Sequence, residues 1–137
     1  MKLIKTIINI GNRRNRILLH NNYNYCGEIS FINKNNTTIL SNLYVPSFHR
    51  NNGYATEILK EVEMSAINDY FKNYPKNNKL LEYEFKLCAW ESLYKPYLVS
   101  FYKKRGYSID LNQKTNYYDN QDEIFELVKM TKKIKLN

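Results

Sequence analysis

The stretch of this chain with the most chemical potential runs Leu43-Tyr44-Val45-Pro46-Ser47-Phe48-His49-Arg50-Asn51-Asn52-Gly53-Tyr54-Ala55-Thr56. A strand pattern stops at the proline, a short loop follows, and a helical pattern begins at a glycine. The first N–H groups of a helix have no partner within it, and its N-terminus carries about half a positive charge. A pyrophosphate set there meets free donors and a favourable dipole. Gly53 lets such a group approach the backbone, Ala55 is small enough not to block it, and Arg50 adds a charged donor. The turn lacks the lysine of a P-loop and the three-glycine spacing of a dinucleotide fold, so ATP and NAD are poor candidates.

Other reactive side chains are sparse. Cys26 and Cys88 make no metal-ligand spacing and have no histidine beside them, so both are expected as buried thiols on strands. The two histidines, His20 and His49, are expected as ordinary polar residues, although His49 precedes Arg50 in the phosphate turn.

The elements that must position the turn follow from hydrophobic period. Lys2–Ile10, Arg16–His20, Tyr25–Asn33 and Thr38–Val45 are expected as strands, separated by Asn-rich turns over 12–15, 21–24 and 33–36. From Asn52 the apolar residues Ala55, Ile58, Leu59, Val62, Ala66 and Tyr70 recur at helical spacing, and Pro75 lies beyond that helix. Leu81–Ala89 alternates with period two and reads as a strand with one wetter face. A second helix is expected over Pro96–Arg105, with Lys103, Lys104 and Arg105 at its negative end and Gly106 as its left-handed cap. A strand beginning at Tyr107, a loop over Asn112–Glu123 carrying Asp119, Asp122 and Glu123, and a last strand over Ile124–Ile134 complete the reading. The expected architecture is a single α/β domain over residues 1–137: a mixed, mostly antiparallel sheet with one right-handed βαβ crossover.

Composition agrees with a globular domain: 43% hydrophobic, 25% charged, and 13 tyrosines that a disordered chain would lack. No apolar run reaches the length of a membrane span, and the Met1–Ile10 segment has no small-residue cleavage site, so a cytoplasmic location is expected. The formal charge of +8 favours polyanions, a phosphate-rich cofactor among them.

Val45-Pro46 followed by Arg50-Asn51-Asn52-Gly53-Tyr54-Ala55 resembles the acyl-CoA signature of the GNAT superfamily of N-acetyltransferases. Phe101-Tyr102-Lys103-Lys104-Arg105-Gly106-Tyr107 is similar to its second landmark, a helix ending in an aromatic-Tyr pair before Gly-aromatic. The joint match covers about residues 25 to 110, in the superfamily's order. The resemblance implies a compact GNAT-like sheet without the usual N-terminal helices, and acetyl-CoA or coenzyme A as co-substrate, with no metal. It implies that the pantetheine arm pairs with the backbone near Leu43, Tyr44 and Val45. The pyrophosphate would lie on Arg50, Asn51, Asn52, Gly53, Tyr54 and Ala55, with Thr56 nearby. Tyr102 matches the tyrosine that protonates the departing thiolate.

The base that deprotonates the amine stays open between Glu28, Glu91 and an ordered water chain. The Trp90–Lys95 connection looks longer than usual, and Lys95-Pro96 replaces the asparagine often found before the tyrosine. The implied partner is a primary amine, either a small molecule or a peptide, and the fold allows a homodimer. Asp119, Asp122 and Glu123 hint at a cationic acceptor. A non-catalytic acyl-CoA-binding module is the rival reading. A nucleic-acid binder, suggested by Arg13, Arg14, Arg16, Lys129, Lys132, Lys133 and Lys135, ranks last because no recognised motif accompanies those charges.

Overall fold

A computed structural model describes residues 3–11, 14–22, 24–73, 82–111, 116–120 and 123–136. Four strands open the chain as an antiparallel meander: β1 (Leu3–Gly11), β2 (Arg14–Asn21), β3 (Asn24–Lys34) and β4 (Thr37–Tyr44). Asn22 and Asn35 turn the hairpins with φ of 55° and 56°, the left-handed region that asparagine tolerates well. Helix α1 (Tyr54–Asn73) follows, then β5 (Glu82–Ser92), which pairs parallel with β4. Helix α2 (Leu98–Lys103), β6 (Ser108–Ile109), β7 (Asn116–Asn120) and β8 (Glu123–Lys135) complete the chain. The sheet order is β1-β2-β3-β4-β5-β8-β6, with β7 also on β8. A mixed sheet with a central βαβ unit was the expectation, and among the described residues no α-helix precedes Tyr54.

Both helices cover the same face. α1 buries Tyr54, Ile58, Leu59, Val62, Ala66 and Tyr70 against Ile17, Leu19, Ile29 and Phe31 of the sheet. From α2 and its cap, Tyr107 donates to Glu63 Oε2 of α1 at 3.0 Å, and Lys132 of β8 donates to Glu63 Oε1 at 2.8 Å. The other face of the sheet carries no helix among the described residues. Register and the period of two fix what it shows. One row reads Arg14, Ile32, Ile39, Lys86 and Thr131, and a neighbouring row reads Lys34, Thr37, Glu84 and Lys133.

Three sequence expectations change. The strand from Tyr107 is only two residues long, and Leu111 is exposed. The expected loop before the last strand contains β7, which pairs with Glu123–Leu127 of β8 and puts Asp119 on a hairpin beside Glu123; Asp122 lies outside the described residues. β6 and β7 thus form one interrupted edge along β8, and the Asp110 N–H donating to Lys129 O at 2.9 Å extends the β6 end of it. α2 starts at Leu98, so Pro96 precedes the helix rather than opening it.

Candidate active site

The site is made by strands that separate. β4 and β5 pair over four positions only, from Thr37 opposite Glu84 to Leu40 opposite Leu87, while β5 runs on with β8 as far as Ser92 opposite Phe125. Beyond Leu40 the backbone of β4 bends: Asn42 takes φ of 57°, and the β3 register shifts between Glu28 and Ser30. Gly27 permits the bend, because a Cβ there would stand 2.6 Å from the Tyr44 carbonyl and 2.8 Å from Ile58 Cδ1. A cleft of about 690 Å³ opens between the diverging strands. Its lining comes from both faces of the sheet: Leu40, Leu87, Ala89, Leu98 and Tyr102 from the helix side, Ser41, Lys86, Cys88, Trp90 and Lys129 from the open side.

A short turn leads from β4 into α1. Ser47–His49 form a single 3-10 turn, Arg50 Nε donates to Val45 O at 3.1 Å, and Asn52 Nδ2 donates to His49 O at 3.2 Å. Gly53 has φ of 77° and its carbonyl accepts the Glu57 N–H at 3.1 Å, which starts α1. A Cβ at Gly53 would meet nothing within 4 Å, so the glycine answers the backbone conformation and leaves the approach open. The amides of Tyr54, Ala55 and Thr56 fall in the first turn, where no intrahelical acceptor exists. Glu57, the acid of that turn, lies 3.8 Å from Lys5 Nζ. These donors and the open glycine fit the phosphates of coenzyme A. Leu43 lines the cleft, whereas the Tyr44 side chain turns away to the open face opposite Glu28.

Tyr102 reaches the cleft from α2. It is buried, and burial pushes its hydroxyl up to about 12, with Tyr97 adding to the effect. A phenol so raised keeps its proton through the physiological range and serves as a donor, never as a base. Two devices hold it there. Gly106, at φ of 95°, ends α2 with Gly106 N–H on Lys103 O and Tyr107 N–H on Tyr102 O, both at 3.1 Å, the Schellman arrangement. At the other end Glu91 Oε2 accepts the N–H groups of Leu98 at 2.8 Å and Val99 at 3.1 Å.

Glu91 is therefore the cap of α2. The residue is 8% exposed, its Oε2 accepts both N–H groups, and it is not part of the cleft lining. Glu28 is half-buried on the open face; one oxygen accepts from Tyr25 and the other lies 3.1 Å from Arg16 Nε. Burial first, and the Glu28 carboxylate second, push the Tyr25 hydroxyl up, so it stays a donor to Glu28. Glu28 is not part of the cleft lining.

Arg105 is a residue the sequence reading undervalued. Its Nε donates to Thr56 Oγ1 at 3.0 Å, Nη2 donates to the same oxygen, and Nη1 donates to Phe101 O at 2.7 Å. The guanidinium also stacks 3.7 Å over the Phe101 ring. The phosphate turn and the tyrosine helix are thereby joined through one side chain. Lys86, Lys129 and Asp110 of the lining were also missed, since only the fold brings them together, whereas Trp90, expected either to wall the acceptor pocket or simply to pack, does line the cleft; Asp110 accepts from Thr131 at 2.9 Å. Cys26 is buried as expected, but Cys88 is exposed in the lining because β5 turns it to the open face. His49 packs beside Phe48 and Tyr54, and His20 against Tyr25. Among the described residues no cluster of His, Cys, Asp or Glu could hold a metal ion.

No protein-family model and no curated protein matches the sequence. Solved structures do. A GNAT family acetyltransferase from Elizabethkingia anophelis with acetyl-CoA bound superposes with a TM-score of 0.69 at 14% identity, covering 96% of this chain and 98% of that one. The IAA acetyltransferase of Bacillus cereus gives 0.69 at 9% identity, covering 97% and 100%. The ribosomal-protein-S18-alanine N-acetyltransferase of Escherichia coli gives 0.68 at 16% identity, covering 93% and 73%.

This chain has the GNAT fold.

In that frame β4 and β5 are the parallel pair that diverges, and Tyr102 lines the cleft between them. The fold lies here in a compact form whose second sheet face carries no helix among the described residues.

Proposed function

We propose that the chain transfers an acetyl group from acetyl-CoA to a primary amine by direct attack. The observation that carries this reading is that Tyr102 lines, with Leu43, the cleft where β4 parts from β5. The cofactor's phosphates would lie on the amides of Gly53–Thr56 near Arg50, and its pantetheine arm along Leu43–Val45, where β4 has left its neighbour. The neutral amine attacks the thioester carbonyl, and the oxyanion is stabilised by a backbone N–H near Val45. The C–N bond forms as the C–S bond breaks; the electron pair leaves on sulfur, which takes the Tyr102 proton, and the proton shed by the amine restores the phenol through solvent. The products are an N-acetyl amide and free coenzyme A.

The rival reading is a binding module of the same fold without turnover. It is favoured by one observation: neither Glu28 nor Glu91 lines the cleft, and both are held by other groups. Asp110 does line it, but its carboxylate is hydrogen-bonded to Thr131.

A thermal-shift series followed by an amine screen separates the two. Acetyl-CoA at one hundred times its Kd stabilises the native state by about 2.7 kcal/mol. Tyr102→Phe is expected to keep that shift and to lower kcat by about 10- to 100-fold. A shift with no turnover on any amine selects the binding module; no shift at millimolar ligand removes both readings.

A further inference from the structure

The net charge of the chain is unevenly placed. α1 carries Glu57, Glu61, Glu63 and Asp69 against Lys60 and Lys72. On the open sheet face the balance reverses. Glu28 and Glu84 lie within ion-pair distance of Arg16 and Lys86, and Glu82 stands opposite Lys135 in register. Among the described residues Arg14, Lys34, Lys129 and Lys133 have no carboxylate within 4 Å. These cations flank a strip that includes Ile32 and Ile39, the latter 46% exposed. The cleft opens into the same face between Lys86, Lys129 and Trp90.

Such a surface repels a free polyamine and attracts a polyanion. Nucleic acid would answer the charge but has no aliphatic amine to acetylate. A polypeptide rich in Asp and Glu supplies negative charge, apolar side chains for the isoleucine strip, and an amine. At the mouth Lys86 stands 3.8 Å from Glu84, and Lys129 shares the lining with Asp110, whose carboxylate accepts from Thr131.

We infer that the open sheet face docks an acidic polypeptide segment, and that the acceptor is a primary amine of that polypeptide led into the cleft between Lys86 and Lys129. The chemistry rests on the acetyl-transfer reading: the amide forms as the thioester C–S bond breaks, with coenzyme A thiol as the other product. The docking does not rest on it.

The test uses fluorescence anisotropy with three probes: a Glu-flanked peptide of about ten residues with one amine, its Lys-flanked counterpart, and a single-stranded RNA of similar length. The Glu-flanked peptide is expected to bind at least ~10-fold tighter than the Lys-flanked one, with the gap closing as salt rises from about 50 to about 300 mM. Arg14→Glu, Lys34→Glu and Lys133→Glu together are expected to remove at least ~10-fold of that affinity, with the acetyl-CoA thermal shift reporting an intact fold. If the triple variant does not fold, the salt dependence of the wild-type preference decides. Equal affinity for the two peptides, or tighter binding of the RNA, overturns the inference. Binding of the Glu-flanked peptide with no acetyl-CoA consumed leaves the docking standing and overturns acetyl transfer.

Discussion

The two faces of this sheet are made from the same strands, residue by alternate residue, yet they behave as different materials. On the helix face Ile17, Ile29, Ile58, Val62, Tyr83 and Phe85 are no more than 1% exposed, and the charges that reach that side are drawn into tight pairs, as Lys132 is by Glu63. On the open face Ile39, Trp90 and Tyr44 are nearly half exposed; Arg16 closes to 3.1 Å on Glu28, while Lys86 stands 3.8 Å from Glu84. One face holds the core; the other carries no helix among the described residues. The cleft passes from the first to the second, with Tyr102 on the helix side and Lys86, Trp90 and Lys129 on the open side.

The comparison is broken or sharpened most strongly by paired truncations. Ile58→Ala on the helix face should cost about 2–5 kcal/mol in chemical denaturation, and Ile39→Ala on the open face less than about 1 kcal/mol. Equal costs would mean that the open face is covered in the native protein. Breaking the buried pair with Glu63→Gln is expected to cost about 1–3 kcal/mol, because it also weakens the acceptor of Tyr107, whereas Glu84→Gln should cost no more than about 1 kcal/mol. Glu91→Ala removes the cap of α2 and should cost about 1 kcal/mol, with Glu91→Gln retaining most of it because one oxygen accepts both N–H groups. A full loss in Glu91→Gln would show that the charge, not the acceptor, holds the helix.

The smallest effect is a pH dependence carried by the buried phenols of the helix face, with Tyr25 on the open face shifted in the same direction. Burial raises Tyr83, Tyr102 and Tyr107 above the ordinary value near 10, Tyr102 to about 12. The folded state then holds protons that the unfolded state has released, so stability is complete below pH 10 and declines as pH rises toward 12 and beyond. Denaturation midpoints measured from pH 8 to 11 should be flat and then fall, and Tyr102→Phe should soften that fall. A midpoint that rises above pH 10 would contradict the burial of these phenols.

Much of this was readable in residue order because its causes are local. The 3.6-residue period of Ile58, Leu59, Val62, Ala66 and Tyr70 specifies α1 and its buried stripe whatever surrounds it. The alternation of Tyr83, Phe85, Leu87 and Ala89 specifies the buried face of β5. Gly53 and Gly106 mark a helix start and a helix end through backbone freedom alone, and both take positive φ. The Arg50–Thr56 turn and Tyr102 were expected as site residues through their resemblance to the two GNAT landmarks.

What only the tertiary structure decided depends on distance in sequence. The parting of β4 from β5 after Leu40 needs the Asn42 bend and the shifted β3 register together, and neither has a local signature. Glu91 reads as one more charge on a strand until α2 folds over it and offers two N–H groups. Arg105 reads as a helix-end cation until α1 places Thr56 against it. Cys88 was expected inside and lies outside, because which set of alternate residues meets the helices is settled by where α1 and α2 pack. The cations of the open face come from four strands. Each is an unremarkable lysine or arginine in its own segment, and only strand register brings them onto one surface, because pairing partners are selected across the whole sheet and not within any stretch of the chain.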